Sequence, residues 1–224
     1  MSLIKEIFTS SIGRKVAMAL SALFLMIFLL QHLTINLTSI ISPELFNELS
    51  HFMGTNPVVQ FALQPVLIFG VVFHFVMGFY LEIQNRKARV ISYAKENSAA
   101  NASWFSRNMI WSGLFILFFL FFHMKDFWVH EMWYKYIAFK EPDPDRYYGE
   151  VVAMFENPWR VLVYVLAFVF LTLHLLHGFS SAFQSMGWNN KYTSNLKIVG
   201  NVYAILIPLG FIVIALVHYA NSIA

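Results

Sequence analysis

Four histidines occupy similar positions in four different apolar segments of the chain. Each lies towards the C-terminal end of its segment, and they are His32, His74, His123 and His174. An ionisable side chain inside a membrane is costly, so it needs a partner or a function. Imidazole binds metal ions, and paired imidazoles are common axial ligands of haem iron. The pattern therefore predicts two metal–porphyrin sites inside a bundle of membrane helices.

The composition is that of a membrane protein. Of the 224 residues, 58% are hydrophobic and 12% are charged, whereas roughly 25% are charged in an ordinary soluble domain. Five stretches reach the roughly 20 residues that cross a hydrocarbon core, at about 16–37, 58–81, 109–129, 159–182 and 198–220. We therefore predict one all-α domain, residues 1–224, that is an integral membrane bundle of five transmembrane helices.

Basic residues near the helix ends predict the orientation, because they prefer the cytoplasmic side. They lie before the first span and in the second and fourth connections, at Lys5, Arg14, Lys15, Arg86, Lys87, Arg89, Lys95, Arg107, Lys191 and Lys197. The N-terminus is thus expected in the cytoplasm and the C-terminus outside. Only the third connection, Lys125 to Pro158, is expected to be long enough for a small cap, and its prolines argue against a continuous helix there.

This topology sorts the four histidines into two pairs. Helices one and three run outward, so His32 and His123 should share the outer leaflet. Helices two and four run inward, so His74 and His174 should share the inner leaflet. The chain contains no cysteine, so it can neither attach haem covalently nor hold an iron–sulfur cluster through thiolates. Two noncovalently bound b haems are therefore expected.

The inner pair carries a second signal. His74 and His174 are each followed four residues later by a glycine, Gly78 and Gly178. One helical turn further on, the missing side chain leaves room for a flat macrocycle. His177 competes with His174 as the ligand, and the shared His-x-x-x-Gly spacing favours His174.

Several other polar residues lie in or beside the spans. Ser21 and Ser112 each lie eleven residues before an outer histidine, which places them near the inner haem. They are interpreted either as hydrogen-bonding partners of that haem or as small residues at a helix contact. His130 and His218 are interpreted as interfacial residues rather than ligands.

Several stretches of the chain resemble the cytochrome b558 membrane-anchor subunit of di-haem succinate:quinone oxidoreductases, the family of succinate dehydrogenase and fumarate reductase. They are QHLTIN at His32, LSHFM at His51, FHFVMGFY at His74, FFHMKDFW at His123 and HLLHGFSSAFQSMGW from His174. The likeness covers essentially the whole chain. It implies that the inner haem, ligated by the second and fourth helices, is the one nearer the iron–sulfur subunit. It also selects His174 over His177.

The resemblance also implies partners and a reaction. A flavoprotein subunit with FAD and an iron–sulfur subunit would dock on the cytoplasmic face of a bacterial inner membrane, as in respiratory complex II, which serves the tricarboxylic acid cycle. The chain itself would carry no succinate chemistry. It would bind lipid and quinone but no nucleic acid, and a higher oligomer is left open.

The family's quinone site uses an acidic residue of the first outer connection, where Glu48 is the first choice beside Glu44 and His51. Fumarate reductases carry Glu where this chain has Thr172, which favours succinate oxidation with menaquinone as acceptor.

Two other functions remain open from the sequence. The cytochrome subunit of membrane-bound nitrate reductase is another five-helix di-haem anchor, but it takes ligands for different haems from one helix, whereas His174 and His177 are too close for that. The other is a haem-free transporter or assembly factor that uses the histidines as a proton relay. It would show no haem absorbance and would not co-purify with redox subunits.

Overall fold

The computed structural model describes residues 10–87, 108–188 and 192–223. Within these ranges the regular elements are helical and no strand occurs. Of the basic residues that predict the orientation, Lys5, Arg89, Lys95, Arg107 and Lys191 lie outside the described ranges. The orientation of the termini therefore stays a prediction.

The helices follow one another along the described ranges as α1 (Ser11–Ile40), α2 (Pro43–Thr55), α3 (Val59–Lys87), α4 (Met109–Tyr136), α5 (Arg146–Phe155), α6 (Pro158–Ser185) and α7 (Thr193–Ile223). Five of them, all except α2 and α5, are long and apolar enough to cross a membrane. The predicted all-α membrane bundle is confirmed. Each spanning helix is longer at one or both ends than the hydropathy predicted, because polar and aromatic residues continue the helices beyond the apolar stretches.

Local sequence signals set several of the helix ends. Ser10, Ser42 and Asn157 cap α1, α2 and α6, each by accepting a hydrogen bond from a backbone N–H two or three residues later. The residue after the cap of α2 and of α6 is proline, whose missing N–H would have no partner at that position. After α6, Gly187 has a φ of 79°, a left-handed conformation that ends the helix.

The expectation that only the third connection forms a cap was wrong. The first connection also folds, into α2, and α2 packs against α5 from the third connection. The buried side chain of Asn47 joins the two, because its amide donates to the backbone oxygen of Asp145 at 2.9 Å and accepts from the backbone N–H of Tyr148 at 2.7 Å. We call the end of the bundle covered by α2 and α5 the capped end.

Four of the spanning helices form a ring. α1 packs against α3, α3 against α4, α4 against α6 and α6 against α1, while α7 packs outside the ring on α6 and α1. Small residues allow α6 and α7 to approach closely, since Ala167, Ala204 and Ala215 are almost completely buried. Within the described residues, the extensive helix contacts run around the ring and none crosses it. Side chains on diagonally opposite helices therefore face each other across the ring.

Candidate functional site

The four histidines singled out in the sequence meet in two pairs across this ring. His32 on α1 faces His123 on α4, with 5.7 Å between ring centres and ring planes at 87°. His74 on α3 faces His174 on α6, with 6.3 Å between ring centres and ring planes at 72°. Each pair thus joins two diagonally opposite helices. Their role as metal ligands stays a prediction.

The separation within each pair can be compared with that of two imidazoles on one metal ion. A metal–imidazole bond is about 2 Å long, and the ring centre lies roughly 1.2 Å beyond the bonded nitrogen, so two rings on opposite sides of a metal have centres about 6.4 Å apart. The His74–His174 pair, at 6.3 Å, comes close to this separation. The His32–His123 pair is about half an ångström closer. The donor chemistry and the spacing therefore fit bis-histidine ligation, and small side-chain shifts would open the closer pair.

Two imidazoles leave most of a metal's coordination to be completed by other donors. Within the described ranges, no group of three or more His, Asp or Glu residues could hold a metal ion by itself. A porphyrin brings four nitrogen donors in one plane and needs only axial ligands from the protein. The donor set consequently fits haem.

The two pairs lie at different depths. Ser21 on α1 contacts His74, with 3.0 Å between its hydroxyl oxygen and Nδ1 of the ring. His32 lies eleven residues further along α1, which corresponds to about 16 Å at 1.5 Å per residue. Ser112 on α4 likewise contacts Nδ1 of His174, at 3.3 Å. His32 and His123 lie nearer the capped end, and we call them the capped-end pair. His74 and His174 lie nearer the other end of the bundle, and we call them the opposite-end pair.

The contacts of Ser21 and Ser112 bear on the roles expected for them. Both are buried, and each lies against the imidazole of a neighbouring helix, so both lie at a helix contact. The predicted interaction with a haem group itself stays a prediction. The hydrogen bonds to histidine were not foreseen from the sequence, because they join residues 53 and 62 positions apart.

Aromatic rings one turn before the capped-end histidines stack on them. Phe28 stacks on His32 with 5.4 Å between ring centres, and Phe119 stacks on His123 at 5.7 Å. The Nδ1 atom of His123 is buried and has no hydrogen-bond partner among the described residues. These imidazoles are thus held mainly by packing rather than by hydrogen bonds.

The glycines expected to make room for a macrocycle face methionines from neighbouring helices. A Cβ atom added at Gly78 would lie 3.5 Å from the methyl group of Met18, and one at Gly178 would lie 3.7 Å from that of Met109. Both are ordinary contact distances, so no protein neighbour by itself requires glycine there. The proposed reason for these two glycines, space for a flat cofactor, stays a prediction.

The residues predicted for a quinone site lie on α2 at the capped end. Glu48 is exposed, whereas His51 is partly buried. The His51 ring contacts that of Tyr147 on α5, with 6.2 Å between centres, and its Nδ1 atom is buried without a partner in the described ranges. Because Nδ1 can donate or accept according to the tautomer, His51 retains an unused polar atom.

A group of charged residues fastens the cap beside His51. The buried guanidinium of Arg146 pairs with Glu131 and, at 2.7 Å, with Glu150, and Lys135 pairs with Glu131 at 2.5 Å. Burial lowers the pKa of Arg146, but the two carboxylates outweigh it and hold that pKa above the usual range. Burial and the charge of Glu131 raise the pKa of Tyr147 to about 12. The network therefore keeps its charges paired and its tyrosine neutral.

An acidic residue inside α4 was missed from the sequence. Asp126 accepts a hydrogen bond from the hydroxyl of Tyr164 at 3.1 Å and lies 3.5 Å from the guanidinium of Arg160. It lies in a π-helical turn, Met124–Val129, that directly follows His123. An acidic residue within a membrane span indicates a buried partner or a functional role. This signal was present in the sequence, because the predicted span 109–129 contains Asp126.

His218 was predicted to lie at the membrane interface, which stays a prediction, but its side chain is buried within the bundle. Its side chain is 1% exposed because the end of α7 packs against α5 and the last turn of α1. Its Nε2 lies 2.9 Å from the hydroxyl of Ser39, and its ring stacks on Phe155. By contrast, His130 is half exposed and lies 3.4 Å from Glu150.

The fold and the site define a class of protein: a multi-pass helical membrane bundle with two cross-ring histidine pairs at different depths. Comparison of the chain with protein-family models, curated proteins and solved structures finds no match. Any more specific assignment therefore depends on the chemistry of the residues described above.

Proposed function

We propose that the chain is a membrane anchor that holds two b haems and passes electrons between docked redox subunits and quinone, as in succinate:quinone oxidoreductases. The observation that carries the proposal is the pairing of histidines across the ring, with ring centres 5.7 and 6.3 Å apart. Aromatic rings that merely pack also lie about 4.5–7 Å apart, so the proposal rests on four histidines pairing in this way rather than on the separation of any one pair. Bis-histidine haem ligation gives one reason for all four.

The chain would contribute ligands, separation and shielding. His32 with His123 would hold one haem and His74 with His174 the other, through the nitrogens that face across the ring. Bound haem would supply one-electron transfer. The eleven residues between the two depths of α1 keep the sites about 16 Å apart along the helix, so each has its own surroundings. Rings such as Phe28 and Phe119 shield the capped-end pair and favour noncovalent retention of an apolar macrocycle.

The proposed location is a bacterial inner membrane, with the end opposite the cap in the cytoplasm. This orientation rests on the sequence, in which ten of the fifteen Lys and Arg residues lie before the first span or in the second and fourth connections, because basic residues favour the cytoplasmic side. A flavoprotein subunit with FAD and an iron–sulfur subunit would dock at that end, nearest the His74–His174 pair. Those subunits would oxidise succinate, since this chain would act only as the quinone-reactive subunit.

The quinone is proposed to react at the capped end, beside the His32–His123 pair. Glu48 and His51 on α2 lie at this end, and the buried Nδ1 atom of His51, which has no partner among the described residues, would gain one in a quinone oxygen. Reduction of a quinone to a quinol takes up two protons, which an interfacial carboxylate and imidazole can deliver. Menaquinone is the proposed acceptor.

The first test is a dithionite-reduced minus oxidised visible spectrum of the purified full-length chain, with pyridine haemochrome quantification. The proposal expects two b haems per chain, and a chain expressed with ample haem but binding none would overturn it in favour of a haem-free histidine relay. The second test adds succinate to membranes that contain the chain and its co-purifying subunits. Reduction of the haems by succinate supports the anchor assignment, whereas haems that only quinol or another donor reduces would point to a different quinone-linked complex.

A further inference from the structure

One hydroxyl–imidazole unit occurs at three places in the described part of the chain. In each, a serine donates its proton to the backbone oxygen three residues earlier in its own helix, while its oxygen faces a ring nitrogen of a histidine on another helix. The pairs are Ser21 with His74, Ser112 with His174, and Ser39 with His218. In that order, the serine lies 2.8, 2.9 and 2.7 Å from the backbone oxygen and 3.0, 3.3 and 2.9 Å from the ring nitrogen.

The unit determines which ring nitrogen carries the proton. A serine hydroxyl has one proton and two lone pairs. With its proton donated to the backbone, the oxygen would accept a hydrogen bond from the imidazole. The nitrogen that faces the serine is Nδ1 in both His74 and His174, so this arrangement would place the ring proton on Nδ1 and leave the lone pair on Nε2. Such a lone pair is what an imidazole offers to a metal ion.

The third unit has the opposite polarity. In His218 the nitrogen facing the serine is Nε2, so the free lone pair is on Nδ1. The tautomer is thus set by the position of the hydroxyl and is not common to every buried histidine in the bundle. Ser39 therefore provides a natural control for the other two serines.

The capped-end pair contains no such unit. Nδ1 of His123 has no partner in the described ranges. Nδ1 of His32 faces the side-chain nitrogen of Asn36 at 3.5 Å, and that nitrogen also donates to the backbone oxygen of His32 at 2.8 Å. An amide nitrogen is a donor and cannot accept a proton from Nδ1. The two histidine pairs consequently differ in how firmly the protein fixes their rings.

We propose that Ser21 and Ser112 are positioning residues that hold His74 and His174 as Nδ1–H tautomers, which makes this pair a preformed metal sandwich and leaves the capped-end pair adjustable. The identity of the metal rests on the proposed function, but the tautomer is a property of the chain itself. An acceptor that takes a hydrogen bond from the second ring nitrogen of a metal-bound histidine orients the ring and raises its basicity. Ser21 and Ser112 would thus act on the site through the histidines, without touching the metal.

The first experiment measures the tautomers directly. The full-length chain, labelled with ¹⁵N-histidine and kept reduced so that any bound haem is diamagnetic, is studied by NMR. Two histidines should show slowly exchanging Nδ1–H protons. Ser21→Ala and Ser112→Ala should each speed the exchange of one of them about five- to tenfold, as expected for the loss of one hydrogen bond. Unprotonated Nδ1 atoms, or unchanged exchange in both variants, would overturn the proposal.

Two further variants separate positioning from general damage to the fold. Ser39→Ala removes the matched hydroxyl and should change only the Nε2–H signal of His218. Ser21→Thr keeps a hydroxyl that can reach the preceding turn's backbone oxygen, so it should restore slow exchange. If Ser21→Thr behaved like Ser21→Ala, the hydroxyl would not be the cause and the proposal would fail.

The second experiment uses the haem-loaded chain. Ser21→Ala should speed the loss of one of the two haems by about 10- to 100-fold. It should also shift the electron paramagnetic resonance signal of that haem only. The midpoint potential of the same haem should rise, because a less basic ligand stabilises ferric iron less. A chain that binds two haems unaffected by either alanine variant would refute the positioning role and leave the proposed function standing. A chain without haem that still shows the serine-dependent Nδ1–H signals would refute the proposed function and leave the positioning role of the serines standing.

Discussion

The sharpest test of the histidine assignment compares His174→Ala with His177→Ala. The two positions lie one turn apart on α6, and the sequence favoured His174 as the ligand because it shares the His-x-x-x-Gly spacing of His74. In the structure the ring of His174 faces that of His74 with 6.3 Å between ring centres, close to the separation of two imidazoles on one metal. His174→Ala should therefore remove one ligand of the opposite-end pair, whereas His177→Ala should leave both pairs intact.

The size of the effect follows from the geometry. In the proposed assignment each pair supplies both axial ligands of one haem, so losing a ligand should reduce the haem content from two per chain to one. The capped-end site lies about 16 Å away along the helices, beyond direct contact with the altered side chain, and should keep its spectrum. The alanine also leaves Ser112 without its imidazole, but that hydroxyl still donates to the backbone oxygen of Met109.

The assay is haem quantification combined with a low-temperature reduced minus oxidised spectrum of each purified variant. His74→Ala should reproduce the His174→Ala result, since both remove ligands of the same site, while His32→Ala should remove the other spectral component. Retention of two haems in His174→Ala, or loss of one in His177→Ala, would refute the assignment. Equal loss of both haems in every variant would show that the pairs are not independent sites.

Three further predictions concern the cap, the helix contacts and pH. Arg146→Gln should lower the unfolding free energy by about 1–3 kcal/mol, between the values for exposed and buried ion pairs, because Glu131 loses its buried partner; thermal unfolding in detergent measures it. Tyr203→Phe should cost about 1 kcal/mol, because the 2.6 Å hydrogen bond from its hydroxyl to the Met26 backbone oxygen is lost. Spectrophotometric titration should find Tyr147 ionising near pH 12 rather than at its ordinary value of 10.

Each of these predictions has a sign or a control that can contradict it. Lysine at position 146 keeps the charge but not the forked geometry, so Arg146→Lys should fall between wild type and Arg146→Gln; equal stability of all three would show that the network contributes nothing. For the tyrosine titration, the folded pKa is raised, so the unfolded chain loses its proton first between pH 10 and pH 12. The contribution of Tyr147 to stability should therefore fall as the pH rises through that window, and a rise would contradict the prediction. A Tyr203→Phe variant as stable as wild type would exclude its hydroxyl as a link between α7 and α1.

Much of the fold was predictable because membrane insertion depends on local hydropathy. A span needs only a long apolar stretch, and the sequence supplies each one without reference to its neighbours. The helix α2 was missed although Ser42 and Pro43 form a recognisable start signal. Its amphipathic face becomes useful only when α5 lies against it, which no local pattern reveals.

The sequence by itself determined the number of spanning helices and the relative depth of the four histidines, because both follow from counting residues along apolar segments. Only the tertiary structure decided that His174 rather than His177 faces His74 and that His218 is buried. It also decided that Ser21 and Ser112 meet imidazoles. These outcomes depend on side chains of different helices coming within hydrogen-bonding distance across separations of 53, 62 and, for Ser39 and His218, 179 residues. Helix packing sets those contacts, and the hydropathy of the chain does not predict which side chains of different helices meet.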